Sequence, residues 1–210
     1  NLAAFLAASR WVLRGALPDQ PGRWEYLDAG RVERHFKLPI ANLRSQRMSD
    51  EPVIDLQSDH YFMGEALRQA ARAQAAGEVP IGAVIVREGR IIARAFNQVE
   101  LLKDATAHAE MLAMTQAEEA AGDWRLSDCT LYVTKEPCPM CAGAIVHVRL
   151  ARVVFGIGDP KAGAAGGVLN LLQFPSFNHR CEITSGVRAA ECKALLQSFF
   201  LEKRKSEAGG

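Results

Sequence analysis

The sequence predicts a layered α/β domain on three observations: an apolar helical stripe followed by a hairpin, strands alternating with helices after it, and a composition suited to one core. Its 210 residues are 49% hydrophobic and 23% charged with ordinary Gly and Pro content, which excludes a disordered, collagenous or coiled-coil chain. The longest uncharged stretch, Ala162 to His179, is broken by Asn170, Gln173, Pro175, Ser176 and Asn178 and could not cross a bilayer as an apolar helix.

The elements follow in order from Ser58. Met63, Ala66, Leu67, Ala70 and Ala73 place one apolar stripe on a helix that Gly77 ends. Val79 to Val86 is apolar and β-branched, residues 87–90 make a glycine turn, and Ile91 to Phe96 returns as the second strand of a hairpin. Ala107 to Ala121, rich in Ala, Met, Leu and Glu, is a predicted helix that stops at Gly122. Thr130 to Thr134 is a strand, a helix opens at Pro137 and runs to about Val148, and Arg152 to Ile157 is another strand. A short strand at Glu182 to Thr184 precedes a long last helix, in which Leu195/Phe199 and Leu196/Phe200 pair at i+4. The helical crossovers imply parallel pairing among the later strands.

Residues 1–57 are expected to be an N-terminal extension, disordered or an artefact of a start placed before Met48, 58–205 the folded domain and 206–210 a flexible tail. Residues 1–47 carry 8 Lys+Arg against 4 Asp+Glu and the rest 17 against 20, so a leader of +4 precedes a body of −3. Three readings of the leader compete: an organelle transit segment, a small appended subdomain, or a start placed too early, with Met48 as the true beginning. No function is expected of the stretch. A body of −3 excludes a nonspecific, charge-driven nucleic-acid binder.

Five cysteines, with one close pair at Cys138 and Cys141, argue against a disulfide framework and for a reducing compartment. Cys129, Cys181 and Cys192 stand alone and are expected to be small core residues. The pair sits in a PCxxC string at 137–141, and an HxE string holds His108 and Glu110. Composition alone would supply both strings about 0.002 times. One imidazole and two thiolates suit zinc, and three protein ligands leave its fourth tetrahedral position for water, which is catalytic stoichiometry. With Pro137 in a first turn, Cys138 and Cys141 share one helix face at its positive end, which stabilises thiolates. Glu110, two residues past His108, is aimed elsewhere and can sit beside the metal without binding it. The plainer reading is a core histidine, a surface glutamate and two buried thiols.

HxE followed by PCxxC is the signature of zinc nucleobase deaminases. The surrounding strings, PIGAVIV at 80–86, TAHAEMLA at 106–113, TLYVTKEPCPMCAGAIVHVRLARVVFG at 130–156, DPKAGAAGG at 159–167 and FNHR at 177–180, resemble the bacterial tRNA-specific adenosine deaminases over roughly Asp59 to Lys205. That resemblance implies a three-layer α-β-α, cytidine-deaminase-like fold with a central mixed five-stranded sheet. It implies a homodimer with one Zn2+ per subunit, and hydrolytic deamination of the wobble adenosine in an arginine tRNA anticodon to inosine, releasing ammonia. His108, Cys138 and Cys141 match the family's ligands, Glu110 its proton shuttle and Asn97 its base-contacting asparagine. In that chemistry zinc acidifies a water, Glu110 takes its proton, and hydroxide attacks C6 of adenine. Glu110 then protonates the ring nitrogen and helps the amine leave. A backbone N–H of Ala109 or Cys138 is a candidate to hold the attacking oxygen. The base must leave its stack, which an anticodon loop permits cheaply.

The resemblance also makes Asn178 and His179 substrate-binding candidates. Arg149, Arg152, Lys161, Arg180, Phe199, Phe200, Lys203 and Arg204 are candidate RNA contacts, with one phenylalanine expected to pack. For the basic tail alone, a solvated helix end is the plainer account. Two rivals remain at this point: a guanine or other free-base or nucleoside deaminase, since Pro139 stands where the tRNA enzymes often carry valine, and a noncatalytic zinc-stabilised RNA-binding module. The expected location is cytoplasmic, organellar if the leader is a transit segment, with no membrane association. A chain beginning at Met48 is expected to be fully active; a large loss of solubility or activity, assayed side by side with the longer chain, would make residues 1–47 part of the fold.

Overall fold

The computed structural model describes residues 11–14, 25–28 and 55–208, and the chain divides into two units, Asn1–Pro52 and Val53–Gly210. In the first unit β1 (Trp11–Arg14) pairs antiparallel with β2 (Glu25–Asp28), Trp11 opposite Asp28. The remaining expectations for residues 1–54 lie outside the described residues.

The second unit holds α1 (Asp59–Ala75), β3 (Gly82–Arg87), β4 (Arg90–Phe96), α2 (Val99–Leu102) and α3 (Ala109–Ala121). It continues with β5 (Cys129–Lys135), α4 (Pro139–His147), β6 (Arg152–Ile157), β7 (Glu182–Ser185) and α5 (Ala189–Ala208). The five strands form one mixed sheet in the order β4-β3-β5-β6-β7. β3 is antiparallel to β4 and to β5, whereas β5–β6 and β6–β7 are parallel. The hairpin turn places Glu88 at φ 50 and Gly89 at φ 72, the two positive φ values of a turn whose twist matches its strands.

Alternation along the strands builds two cores. Ala83, Ile85, Leu131, Val133, Val153 and Phe155 face one way and pack with Ala109, Ala113 and Met114 of α3 and Ala142 and Ile145 of α4. Val84, Val86, Tyr132 and Val154 face the other way, against Phe62, Met63 and Ala66 of α1 and Cys192 of α5. The result is the three-layer α-β-α arrangement. Gly82 makes the α1 contact possible, because a Cβ there would lie 2.2 Å from the Ala66 carbonyl oxygen. The lone cysteines Cys129, Cys181 and Cys192 are buried, as expected. No helix among the described residues is long and apolar enough to cross a membrane.

Several boundaries differ from expectation for local reasons. β3 begins at Gly82 rather than Val79, because Pro80 has no N–H for a ladder and the Ile81 N–H turns back to the Val79 carbonyl at 2.7 Å. α4 begins at Pro139 rather than Pro137, with Cys138 as its N-cap. The one-turn α2 has too few residues to show a period. α5 continues through Ala208, three residues into the expected flexible tail.

The strand directions give the sheet two ends. At the amino end of the parallel strands, Arg152 holds Asp59 with both Nη atoms at 2.9 and 2.7 Å, and the Tyr132 hydroxyl donates to Asp59 at 2.8 Å. Arg152 also reaches Thr184 Oγ1 at 2.8 Å and Glu182 at 3.2 Å. This network joins the first turn of α1 to β5, β6 and β7. The Arg152 hydrogen bonds hold the Asp59 carboxyl below its ordinary 3.8, against the opposing effect of burial. Asp59→Asn is therefore expected to lower stability near neutral pH by about 1–2 kcal/mol, a figure kept low because the pair is partly exposed. A group with a depressed folded-state pKa contributes fully above its unfolded value and loses that contribution as pH falls through the folded one. Melting temperatures of wild type and variant should accordingly converge as pH falls below the ordinary carboxylate value of 3.8 and through the lowered folded one, and separate at neutrality.

Candidate metal centre and active site

At the opposite, carboxyl end of the strands, two helices begin side by side. His108 is the extended N-cap of α3 (φ −68, ψ 151) and Cys138 that of α4 (φ −74, ψ 171), and neither side chain caps its own helix. Both side chains are thus available to other partners. Pro139 occupies the first helical position of α4, where its missing N–H costs nothing, and Cys141 follows one turn after Cys138. The Cys138 and Cys141 sulfurs are 3.7 Å apart, and His108 Nδ1 lies 3.6 and 3.5 Å from them. These are the edges of a tetrahedron: Zn–S near 2.3 Å and Zn–N near 2.05 Å imply S···S of about 3.8 Å and S···N of about 3.6 Å. The residues fit such an ion without rearrangement.

The three donors perturb one another's titration. A hydrogen bond from the Cys141 thiol, followed by one from His108, lowers Cys138 to about 3 despite its burial. Cys141 moves up, as the sulfur that donates to Cys138 and is itself desolvated. His108 moves up because the Cys138 sulfur accepts its hydrogen bond. The positive ends of α3 and α4 both favour the negative charge that two metal-bound thiolates would carry.

Glu110, the second residue of α3, is 4% exposed and lies outside the three-donor cluster while adjoining it. Burial raises its carboxyl pKa, with His108 pulling the other way. A carboxylate so placed can take a proton from a neighbouring water and return it. Ala109 is buried at the first position of α3, where its N–H has no acceptor within the helix.

Asn97, next to the last residue of β4, is buried, and its Nδ2 donates to Glu78 Oε2 at 2.9 Å. The other oxygen of Glu78 accepts the Leu101 N–H at 2.7 Å, and the Gln98 N–H donates to the Ala107 carbonyl at 3.0 Å, joining the Asn97 and His108 segments. Glu78 was not found from sequence; a glutamate between a helix-ending glycine and an apolar strand is its one local signal. Glu136, immediately before Pro137, was missed likewise. It is 4% exposed and accepts the N–H groups of Asp159, Ala165 and Gly167.

The candidate RNA contacts are spread widely. Arg152 lies at the amino end of the sheet, clamped to Asp59, with the length of β6 between it and the loop beside Pro137. His179 donates from Nε2 to the Leu150 carbonyl at 2.7 Å, and Arg180 to the Pro175 carbonyl at 3.1 Å. Arg149 and Asn178 share a surface cavity of about 320 Å³ with Trp124, Gly143, Val146, His147 and Phe177, toward the far end of α4 from Cys138. Phe199 is buried and Phe200 exposed, as expected of the pair. Lys161, Lys203 and Arg204 are exposed.

The MafB19-like deaminase family model matches residues 57–204. A tRNA-specific adenosine deaminase of Bacillus subtilis (strain 168) is 53% identical over 149 residues, 71% of this chain and 92% of that protein. A solved structure from studies of A-to-I editing by tRNA deaminases at the wobble position of transfer RNA has a TM-score of 0.63 at 43% identity, covering 65% of this chain and 99% of that one. A guanine deaminase from Nitrosomonas europaea shares the fold, with a TM-score of 0.61 at 23% identity over 88% of this chain and 98% of that one.

Incubated with zinc and desalted, the chain is expected to retain one ion per copy by atomic emission. His108→Ala, Cys138→Ser and Cys141→Ser should each weaken retention roughly tenfold or more, while Glu110→Ala keeps the ion. Metal loss in Glu110→Ala would instead make that carboxylate a ligand.

Proposed function

The chain belongs to the tRNA-specific adenosine deaminases within the MafB19-like deaminase family, and from that membership we propose that it converts the wobble adenosine of an arginine tRNA anticodon to inosine. The reaction is hydrolytic: water and adenosine give inosine and ammonia. The observation that carries the chemistry is a buried carboxyl, Glu110, beside a three-donor cluster of which it is not a member. A structural metal site has no use for that carboxyl, which disfavours a noncatalytic RNA-binding module.

His108, Cys138 and Cys141 would hold a zinc ion, which would supply a water acidified toward neutral pH. Glu110 accepts a proton from the attacking water and delivers it to the ring nitrogen next to C6. The water oxygen forms the new bond to C6. Glu110 then passes the second proton to the exocyclic amine as its C–N bond breaks, so that ammonia leaves and the 6-oxo base remains. The Ala109 N–H, pointing out of the first turn of α3, supports the oxygen at C6. Glu78 holds the Asn97 amide through Nδ2, which fixes the orientation in which Asn97 meets the extruded base.

Substrate choice follows from family membership rather than from global charge. The near-neutral body leaves recognition to local groups, and the exposed Lys161, Lys203 and Arg204 are among the cations available for phosphate. Arg149, Asn178 and His179 lie toward the far end of α4, and the working unit is a homodimer, a reading that follows from family membership alone. The location is cytoplasmic.

On an anticodon stem-loop carrying the wobble adenosine, the zinc-loaded chain is expected to form inosine while leaving free guanine untouched, both followed by chromatography of the nucleosides and bases. The reverse preference would make it a guanine deaminase. Glu110→Ala should lower turnover by about 10²–10⁴-fold with metal content unchanged.

A further inference from the structure

Beneath the loop that follows β6 lies a carboxylate with no part in the chemistry described so far. Glu136 Oε2 accepts the Asp159 N–H at 2.7 Å, and Oε1 accepts those of Ala165 at 2.9 Å and Gly167 at 2.8 Å. Three donors from both ends of the 159–167 stretch thus converge on one buried side chain. Two glycines make room for it: a Cβ at Gly163 would lie 2.2 Å from Oε2, and one at Gly167 2.5 Å from it. The backbone around Glu136 grips the same loop. Its own N–H donates to the Ile157 carbonyl at 2.8 Å, and the Ala164 N–H donates to the Pro137 carbonyl at 2.9 Å. Cys138 is the next residue.

The loop therefore has a fixed base and a presented tip. Pro160, Lys161 and Ala162 are exposed, whereas Asp159, Gly163, Ala164 and Ala165 are buried. Lys135 pairs with Asp159, whose Oδ1 also accepts the Lys161 N–H at 2.9 Å. Burial opposes the Asp159 charge, yet these partners hold its carboxyl below the usual range. With Asp159 neutralised by Lys135, the exposed tip offers one unopposed cation, Lys161, to an anion.

We propose that Glu136 is a positioning residue for RNA: by holding the 159–167 loop on the segment that carries Cys138, it sets Lys161 where a substrate phosphate meets it as the base reaches the metal. This rests on the functional reading above and adds to it a residue that acts through the loop. A glutamine at 136 cannot replace the carboxylate. Whichever way its amide turns, the NH2 end faces N–H donors, and either Asp159 or both Ala165 and Gly167 lose their acceptor.

The test uses the zinc-loaded full chain, Glu136→Gln, Lys161→Ala and the double variant. Zinc content, melting temperature, kcat and KM on the anticodon stem-loop, and Kd for a fluorescent form of that RNA across a salt series are measured. Glu136→Gln should retain one zinc and raise Kd and KM about tenfold with a smaller change in kcat. Lys161→Ala should raise Kd comparably and reduce the slope of log Kd against log salt by about 0.7, the loss of one single-strand phosphate contact. The double variant should bind no more weakly than Glu136→Gln alone, because both changes remove one interaction. Wild-type affinity in Glu136→Gln, or a double variant weakened by the product of the two single effects, overturns the proposal. If Glu136→Gln does not fold, Gly163→Ala presses on the same carboxylate from the loop side and is held to the same outcomes. A wild-type chain that does not deaminate the stem-loop overturns the functional reading and this proposal with it, whereas an active wild type with an unaffected Glu136→Gln overturns this proposal alone.

Discussion

Three donor atoms spaced 3.5–3.7 Å apart, each from the opening of a helix, set the terms for everything around them. A tetrahedral ion tolerates errors of a few tenths of an ångström in its ligands, so the two helix starts must be fixed relative to each other. Strand β5 delivers Cys138 at its carboxyl end, and α3 packs on the same sheet face as α4 through Ala109, Ala113, Ala142 and Ile145. Small side chains on these helices permit the close seating. The extended caps at His108 and Cys138 leave both side chains without a capping partner, so the ligands are released by the same backbone feature that starts each helix.

Around that cluster stand three buried glutamates with different surroundings. Glu78 is met by the Asn97 amide and the Leu101 N–H, and Glu136 by three backbone N–H groups. Both are met by fixed dipoles: Glu136 holds backbone in place, and Glu78 holds the Asn97 side chain as well as the Leu101 backbone. For Glu110 desolvation is the dominant influence, and its carboxyl rises. One residue type thus performs two tasks at the same end of the sheet: Glu78 and Glu136 hold neighbouring groups in place, and Glu110 stands beside the metal donors.

What was legible in the sequence was what local spacing encodes. His108, Glu110, Cys138 and Cys141 were readable because each pair lies within one helical turn and the ion requires their residue types. The five strands and the main helices were readable from alternation and from the stripe on α1. The fold-level joins were not. Glu136 and Glu78 act on residues 19 to 31 positions away, and nothing near them in sequence marks their partners. The partner of Arg152 was hidden for the same reason: topology brings Asp59, 93 residues away, against it. The start of α4 shifted by two residues because Pro137 and Pro139 are both eligible helix openers, and only the cap at Cys138 decides between them.

The Asp59–Arg152 network and the metal cluster occupy opposite ends of the same strands, with hydrophobic layers between them. Stability and chemistry are therefore written on separate tracts of one framework. Lineages carrying this fold can drift, thermally adapt or be redesigned at the amino end, where an ion pair sets resistance to unfolding, without altering the distances that define the reaction. The reverse also holds: loops at the carboxyl end can be rebuilt for a different nucleic acid on a scaffold whose resilience is secured elsewhere.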